Sequence, residues 1–394
     1  MNDYFLADDL SGALEVAAAF RQAGFPAVVT WSLEGWKACG PDEVVGFTTE
    51  TRNAPPAAAA AAVMQALAWG RARGGQLLFK KIDSTMRGPV AAELAALATA
   101  LPETTLLFTP ANPHAGRIVR KGILHVQGVP VAETDFGRDP ANPVKESSIL
   151  GVVPEAAQNR TIALDAASDE DLANGIAARE AAGVPWVGVG SGALARALTP
   201  RLGAAHPTTA VKGARPALPP GAVLFVCGSA HPANRTQAGV LARERGLPVI
   251  EVSPANPGAA ARAAVAAIRV HGGVALHIAP RGSDETSSDS RGALAAIVEA
   301  TRTVVTYTGI RRIMATGGET ARALCDAFGI DSLRVLEDIE PGLVLASADN
   351  GSGAWLLAIK PGGFGTEASW VRAADALGFS PGGPGKKQQP RPGD

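Results

Sequence analysis

Short apolar runs recur along the chain, each breaking into a polar or glycine-rich turn and then into an alanine-rich stretch with apolar residues at helical spacing. FLADDLSGALEVAAAF, residues 5–20, sets the pattern: an apolar lead from Tyr4 to Ala7, the acids Asp8 and Asp9, then Ser11 and Gly12, then Leu14, Val16 and Phe20 at helical spacing. This reads as strand, loop, helix. AVVTW and VVGFTTETR come next as strands, then a helix from about Pro56 to Arg73, the strand of LLFKKIDSTMRG, and a helix from Pro89 to Ala100. LLFTPANP supplies a further strand. The segment from Gly116 to Lys145, rich in glycine, proline and charge, reads as an irregular excursion or small hairpin. TIALDAA, a helix from Asp169 to Ala182 and VPWVGVGSGALARAL close the first half.

The alternation restarts after a stretch without hydrophobic periodicity, His206 to Pro220, which reads as a linker. Beyond it come GAVLFVCGSAHP with its helix, LPVIEVS, a helix from Pro257 to Val270, GGVALHIAP, a helix from about Arg291 to Tyr307, and RRIMATGGETARALCDAF. A strand around Arg334 to Leu336, a loop IEPGLVLAS, the strand-like AWLLAIKPGGFG and a helix around Glu367 to Leu377 complete the order. Strands alternating with helices predict an α/β protein of two domains, each an open, mostly parallel sheet flanked by helices. The boundaries expected are 1–205, a linker 206–220, a second domain 221–380, and a low-complexity tail 381–394 too polar and proline-rich to order itself.

Length supports two domains, since 394 residues exceed what one hydrophobic core usually holds together. A formal net charge of -1 without a basic run, apart from the short tail, argues against a nucleic-acid or anionic-membrane partner. Cys39, Cys227 and Cys325 are odd in number and far apart, which fits a reducing cytoplasm and neither a disulfide framework nor a zinc site. The start MNDYFLADDL shows no signal-peptide pattern, so a cytoplasmic location is expected.

Candidate chemistry collects at strand ends, where ligands sit in open α/β sheets. Asp8 and Asp9 stand at the first such end; a helix cap accounts for one acid there, not for an adjacent pair followed by glycine. KKIDSTMRG places Lys81, Asp83, Ser84 and Arg87 in one strand-to-helix turn, cations beside an acid able to accept a proton. Arg52 ends the preceding strand in the same way. In the second half three glycine loops come after strands: CGSAHP around Ser229, TGGET with Gly317, Gly318, Glu319 and Thr320, and KPGGFG with Gly362 and Gly363. Glycines let a backbone approach phosphate, and free amides at a helix start supply donors. No Walker pattern is present. GVGSGA, Gly188 to Ala193, satisfies a loose dinucleotide fingerprint but lacks an acid some 20 residues on.

ADDLSGA, KKIDSTMRG, PANPHAGR with GVPVAET, VGSGALARAL, CGSAHP, ATGGETARAL and KPGGFG, in that order, resemble the four-carbon acid sugar kinase family over nearly the whole chain. The resemblance implies an ATP-dependent kinase that phosphorylates the terminal C4 hydroxyl of threonate, erythronate or a 3-oxo-tetronate. It implies an N-terminal sugar-acid domain using Asp8, Asp9, Arg52, Lys81 to Ser84 and Arg87. It implies a C-terminal nucleotide domain using Ser229, Gly317 to Thr320, Gly362 and Gly363. Ser11 and Leu14-Glu15 stand where the family commonly has threonine and a polar pair ending in aspartate, and Asn112 and His114 where an aromatic and a glutamate are frequent.

Phosphoryl transfer asks for an acceptor hydroxyl in line, neutralised phosphate charge and a carboxylate to take the proton. Arg52, Lys81 and Arg87 are expected to hold the acid, with Asp9 or Asp83 as the base. Mg²⁺ is expected with ATP; its ligands need not form a motif, because it keeps waters and phosphate oxygens. The remaining partners expected are small molecules, with a homo-oligomer allowed. The competing readings are a NAD-dependent hydroxy-acid oxidoreductase using the Gly188 turn, and a non-catalytic sugar-acid sensor.

Overall fold

A computed structural model describes residues 3–139, 142–205, 220–278 and 287–380. The linker expected over 206–220 lies almost wholly outside these residues, and the tail 381–394 entirely so. The chain divides into two compact units, Met1–Gly213 and Ala214–Asp394.

In the first unit the order is β1 (Tyr4–Ala7), α1 (Leu10–Gln22), β2 (Ala27–Thr30), α2 (Leu33–Lys37), β3 (Val44–Thr48), α3 (Pro56–Ala72), β4 (Leu77–Lys81), α4 (Val90–Ala100) and β5 (Thr105–Thr109). After β5 come β6 (Arg117–Arg120), β7 (Ile123–Val126) and β8 (Val129–Pro130), then α5 (Glu155–Gln158), β9 (Thr161–Ala163), α6 (Asp169–Ala181), β10 (Trp186–Gly190) and α7 (Gly192–Ala205). The main sheet runs β2-β3-β1-β4-β10-β5-β9, every pairing parallel. β1 is buried on both faces, as a parallel strand covered by helices should be. Phe5 stacks on Phe20 of α1 with ring centroids 5.6 Å apart, and Gly46 of β3 leaves room for that packing, since a Cβ there would lie 2.2 Å from the Phe5 ring. The excursion after β5 is a small antiparallel sheet, β6-β7-β8, tied back to the unit by bridges from Asn112 to Arg117 and from Val119 to Ala166.

The second unit contains β11 (Val223–Cys227), α8 (Pro232–Arg245), β12 (Val249–Val252), α9 (Pro257–His271), β13 (Gly273–Ile278), α10 (Ser287–Thr308), β14 (Arg312–Thr316), α11 (Gly318–Ala327), β15 (Ser332–Glu340), β16 (Leu343–Asp349), β17 (Ala354–Lys360) and α12 (Ser369–Ala376). Its sheet order is β12-β13-β11-β14-β17-β16-β15, parallel through β17, with β16 antiparallel to both neighbours. IEPGLVLAS is therefore not a loop. Pro341 and Gly342 turn the chain, Gly342 at φ 85°, and LVLASAD is a buried strand. Trp370 of α12, fully buried, stacks on Phe225 of β11 at 5.6 Å and closes this core. Among the described residues no helix is long and apolar enough to cross a membrane.

Candidate active site

Parallel pairing brings the carboxyl ends of β3, β1 and β4 side by side, with Ala7 opposite Thr48 and Lys81. The loops that leave these three strands meet at that edge. Arg52 forms a two-pronged pair with Asp8, Nε to Oδ2 at 2.8 Å and Nη2 to Oδ1 at 2.9 Å, while its Nη1 lies 2.8 Å from Asp9 Oδ2 and 3.9 Å from Asp83 Oδ1. The amides of Thr51 and Arg52 both donate to the Asp8 carbonyl, which fixes the arginine's loop against the acid pair. Asp9 also caps α1: its Oδ1 accepts from the Gly12 amide at 2.8 Å and its Oδ2 from Ser11 Oγ at 2.5 Å. The cap and the acid pair thus coexist. A Cβ on Gly12 would lie 2.6 Å from Asp9 Oδ1 and 3.0 Å from Lys81 Nζ, so only a residue without a Cβ fits between the acid and the lysine, whose Nζ donates to the Ile82 carbonyl at 2.9 Å.

Asp83 is held by Arg87 through Nε at 2.9 Å and Nη2 at 3.1 Å, and by the Thr85 hydroxyl. Arg87 also reaches Asp139 at 3.6 Å. Ser84 accepts from Arg117 Nη1. The Arg87 and Arg117 guanidiniums lie 5.4 and 5.6 Å from the Phe136 ring centroid, cations on one aromatic side chain. Asp8, Asp9, Arg52, Lys81, Asp83, Ser84 and Arg87 therefore form one cluster. Arg52 and Arg87, expected to hold the sugar acid, are each paired with carboxylates of the fold. Lys80, its neighbour in the same turn, points the other way, as alternation along a strand requires. Fully buried, its Nζ donates to Glu93 of α4 at 2.8 Å, and Glu93 accepts from the Thr51 hydroxyl beside Arg52, also at 2.8 Å.

The three carboxylates differ. Burial raises the Asp8 pKa, but Arg52, Lys80 and Lys81 outweigh it and the group is held below its ordinary value. Burial acts on Asp83 in the same sense, and Arg52 and Arg87 drive it well below the usual 3.8. Side-chain exposure is 4 % for Asp8, 8 % for Asp83 and 16 % for Asp9. Asp9 is thus the acid of the three most open to a ligand.

The lowered Asp83 pKa links folding to pH. Between its native value and 3.8 the unfolded chain binds the extra proton, so the stabilisation is complete above about pH 5 and is lost as pH falls through the native value. Urea midpoints measured from pH 6 down to about pH 3 should therefore fall less steeply for Asp83→Asn than for the parent chain. Equal slopes would mean that Asp83 has the same pKa folded and unfolded.

In the second unit the ends of three adjacent parallel strands carry the glycine loops: Cys227 lies opposite Thr316, and Thr316 opposite Lys360. Gly317, at φ 100°, precedes α11 and offers no side chain to cap it. The loops touch. A Cβ on Gly228 would lie 2.0 Å from Thr320 Oγ1, one on Gly362 2.5 Å from Ser229 Oγ, and one on Gly363 2.8 Å from the His231 ring. Ser229, Thr320, Gly362 and Gly363 are so placed together, with Gly317, Gly318 and Glu319 at the start of α11. Among the described residues no group of three or more His, Cys, Asp or Glu is arranged to hold a metal.

The Gly188 turn serves packing. Gly188 lies inside β10 against Phe79, a Cβ on Gly190 would lie 2.1 Å from the Thr109 carbonyl oxygen, and one on Gly192 2.0 Å from the Glu15 carboxyl carbon. Sequence reasoning did not single out Glu15, 3.0 Å from Arg196 and 3.9 Å from Lys81, nor Arg117, Asn234 and Lys360 as site residues. Arg117 closes the motif PANPHAGR and Lys360 opens KPGGFG, so a signal was present for both. Asn234 stands in an unremarkable helix start, and only the fold brings it to the site.

Two family models match: a sugar-binding N-terminal domain over residues 4–161 and a nucleotide-binding C-terminal domain over residues 224–369. The chain is 33 % identical over 427 residues to D-threonate kinase of Cupriavidus necator, covering 96 % of this chain and 98 % of that protein. To the 3-oxo-tetronate kinase of Methylobacterium radiotolerans it is 28 % identical, covering 94 % and 98 %. A solved structure from Haemophilus influenzae shares the fold with a TM-score of 0.69 at 19 % identity, over 95 % of this chain and 100 % of that one. With a sugar-binding and a nucleotide-binding half in sequence and near full-length likeness to such enzymes, the chain belongs to the four-carbon acid sugar kinase family.

Proposed function

We propose that this protein transfers the γ-phosphoryl group of ATP to the terminal C4 hydroxyl of a four-carbon sugar acid, D-threonate being the first substrate to test. Kinase action on a four-carbon sugar acid is the activity of the family. The observation that carries the finer reading is the Asp9 carboxylate, at the mouth of the Arg52 network and the most open of its three acids. Asp9 accepts the proton of the attacking hydroxyl: it shares Arg52 with Asp8, but it is the most exposed of the three acids, whereas Asp8 and Asp83 are buried against Arg52 and Arg87. Lys81, reaching over Gly12, supplies positive charge beside the reacting oxygen.

In the second unit the amides that begin α11 and the loop at Gly362 and Gly363 cradle the phosphates. Mg²⁺ would arrive on the triphosphate, with Glu319 of α11 as the carboxylate nearest in sequence to the cradle. Bound there, the ion would neutralise phosphate charge. ADP release measured with D-threonate, D-erythronate and 3-oxo-tetronate in turn, with NAD⁺ reduction followed in parallel, tests the proposal. ATP-dependent turnover of one of these acids is expected. Hydroxy-acid-dependent reduction of NAD⁺ without ADP release would overturn it.

A further inference from the structure

Lys360 ends β17 with an ammonium that no solvent reaches, and among the described residues no carboxylate lies within ion-pairing distance of it. Oxygens surround it instead. Its three N–H groups are shared among four oxygens, Gly362 O at 2.9 Å, Asn234 Oδ1 at 2.9 Å, Phe364 O at 3.0 Å and Pro361 O at 3.3 Å. Asn234 in turn donates from Nδ2 to the Ser229 carbonyl at 3.4 Å, and the Lys360 carbonyl accepts from the Gly317 amide at 2.9 Å. One residue thus has bonded links to all three glycine loops. Burial pushes its pKa down to about 8, with Cys227 and Glu340 opposing, so the ammonium persists at neutral pH because these oxygens solvate it.

The consequence comes from peptide planarity. In a trans peptide the carbonyl and the next residue's N–H point in opposite directions. The Pro361 and Gly362 carbonyls are drawn onto the ammonium, so the amides of Gly362 and Gly363 are turned away from it. Neither amide has a protein acceptor among the described residues, and a Cβ added at Gly362 would meet Ser229 Oγ, one at Gly363 the His231 ring. We propose that Lys360 is a positioning residue of the nucleotide site: its buried ammonium holds the KPGGFG loop with the Gly362 and Gly363 amides turned outward as a preformed cradle for a nucleotide phosphate, and it does not itself touch the nucleotide. This deepens the nucleotide reading above and rests on it.

Lys360→Met and Asn234→Ala test the assignment through ATP and D-threonate calorimetry, steady-state kinetics, and hydrogen exchange of residues 361–366 in the ligand-free chain. For Lys360→Met the Kd and KM for ATP should rise about tenfold or more, the scale of one charge-assisted hydrogen bond. Turnover at saturating ATP should stay within about threefold, D-threonate affinity should hold, and exchange over 361–366 should quicken. Asn234→Ala, which removes one of the four oxygens, should move the same quantities by a smaller factor and carries the test if Lys360→Met does not fold. Weakened ATP binding with unchanged exchange would mean that the ammonium contacts phosphate directly, and quickened exchange with unchanged ATP affinity would mean that loop order is irrelevant to binding; either overturns the assignment. Absence of ATP binding by the parent chain would instead remove the nucleotide reading itself.

Discussion

Asp9→Asn is expected to lower kcat by about a hundredfold or more while the KM for the sugar acid changes little, the signature of a lost general base. The substitution is a sparing one. Asparagine keeps an oxygen for the Gly12 amide, so the cap on α1 survives, and it keeps nearly the same volume beside Arg52. What is removed is the capacity to take a proton, together with the negative charge facing Arg52 Nη1 and the acceptor for Ser11 Oγ. Asp83→Asn should behave differently: it breaks a two-pronged pair with Arg87, frees that arginine, and should therefore act on KM and stability more than on kcat. A turnover near the parent value for Asp9→Asn, measured by coupled ADP release at saturating substrates, would remove Asp9 from the role of base. If Asp83→Asn then carries the hundredfold loss, the base belongs to β4 and not to β1.

The second large effect concerns the nucleotide loops. Gly363→Val should weaken ATP binding by roughly tenfold to a hundredfold, the range expected when one or two charge-assisted phosphate hydrogen bonds are lost, and leave sugar-acid binding intact. Its cause is geometric. A Cβ at this position falls 2.8 Å from the His231 ring, and His231 is fixed by capping α8 through its Nδ1, which accepts from the Ala233 amide at 3.2 Å. Ring and loop cannot both keep their places, so the Gly363 amide must turn from where a phosphate would meet it. Calorimetry with ATP and with D-threonate on the same preparation separates the two sites. An unchanged ATP affinity in a folded Gly363→Val variant would show that this loop does not carry the phosphates.

Much of the placement of these groups was legible in the sequence because parallel α/β sheets put function at one end of the strands, and each strand end is marked by a switch from apolar residues to glycine, acid or base. Asp8, Arg52 and Asp83 are far apart in sequence yet each stands just past such a switch. What was not legible depends on direction. Lys80 and Lys81 are equivalent as letters, but the pleat sends one to Glu93 in the interior and the other to the ligand edge. Lys360 is in the sequence only the letter that opens a glycine loop, and the four oxygens that enclose it come from that loop and from Asn234 of α8. The strand β16 escapes a sequence reading for a related reason: Pro341 and Gly342 carry the signal of a whole loop, whereas they make a tight turn and the apolar run after them pairs at once with β17.

The excursion between β5 and β9 touches the Asp83 turn as one piece of chain. Asn112, Arg117 and Phe136 all lie in one continuous stretch, and its small sheet is separate from the one that carries Asp8, Asp9 and Asp83. It meets the Asp83 turn and the Arg52 loop through Arg117 at Ser84, Phe136 and Asp139 against Arg87, and Asn142 at Asn53. Such a segment is a cassette. Exchanging this one contiguous piece of chain alters what faces the Asp83 turn, while the acids and the buried Lys80–Glu93 pair stay as they are.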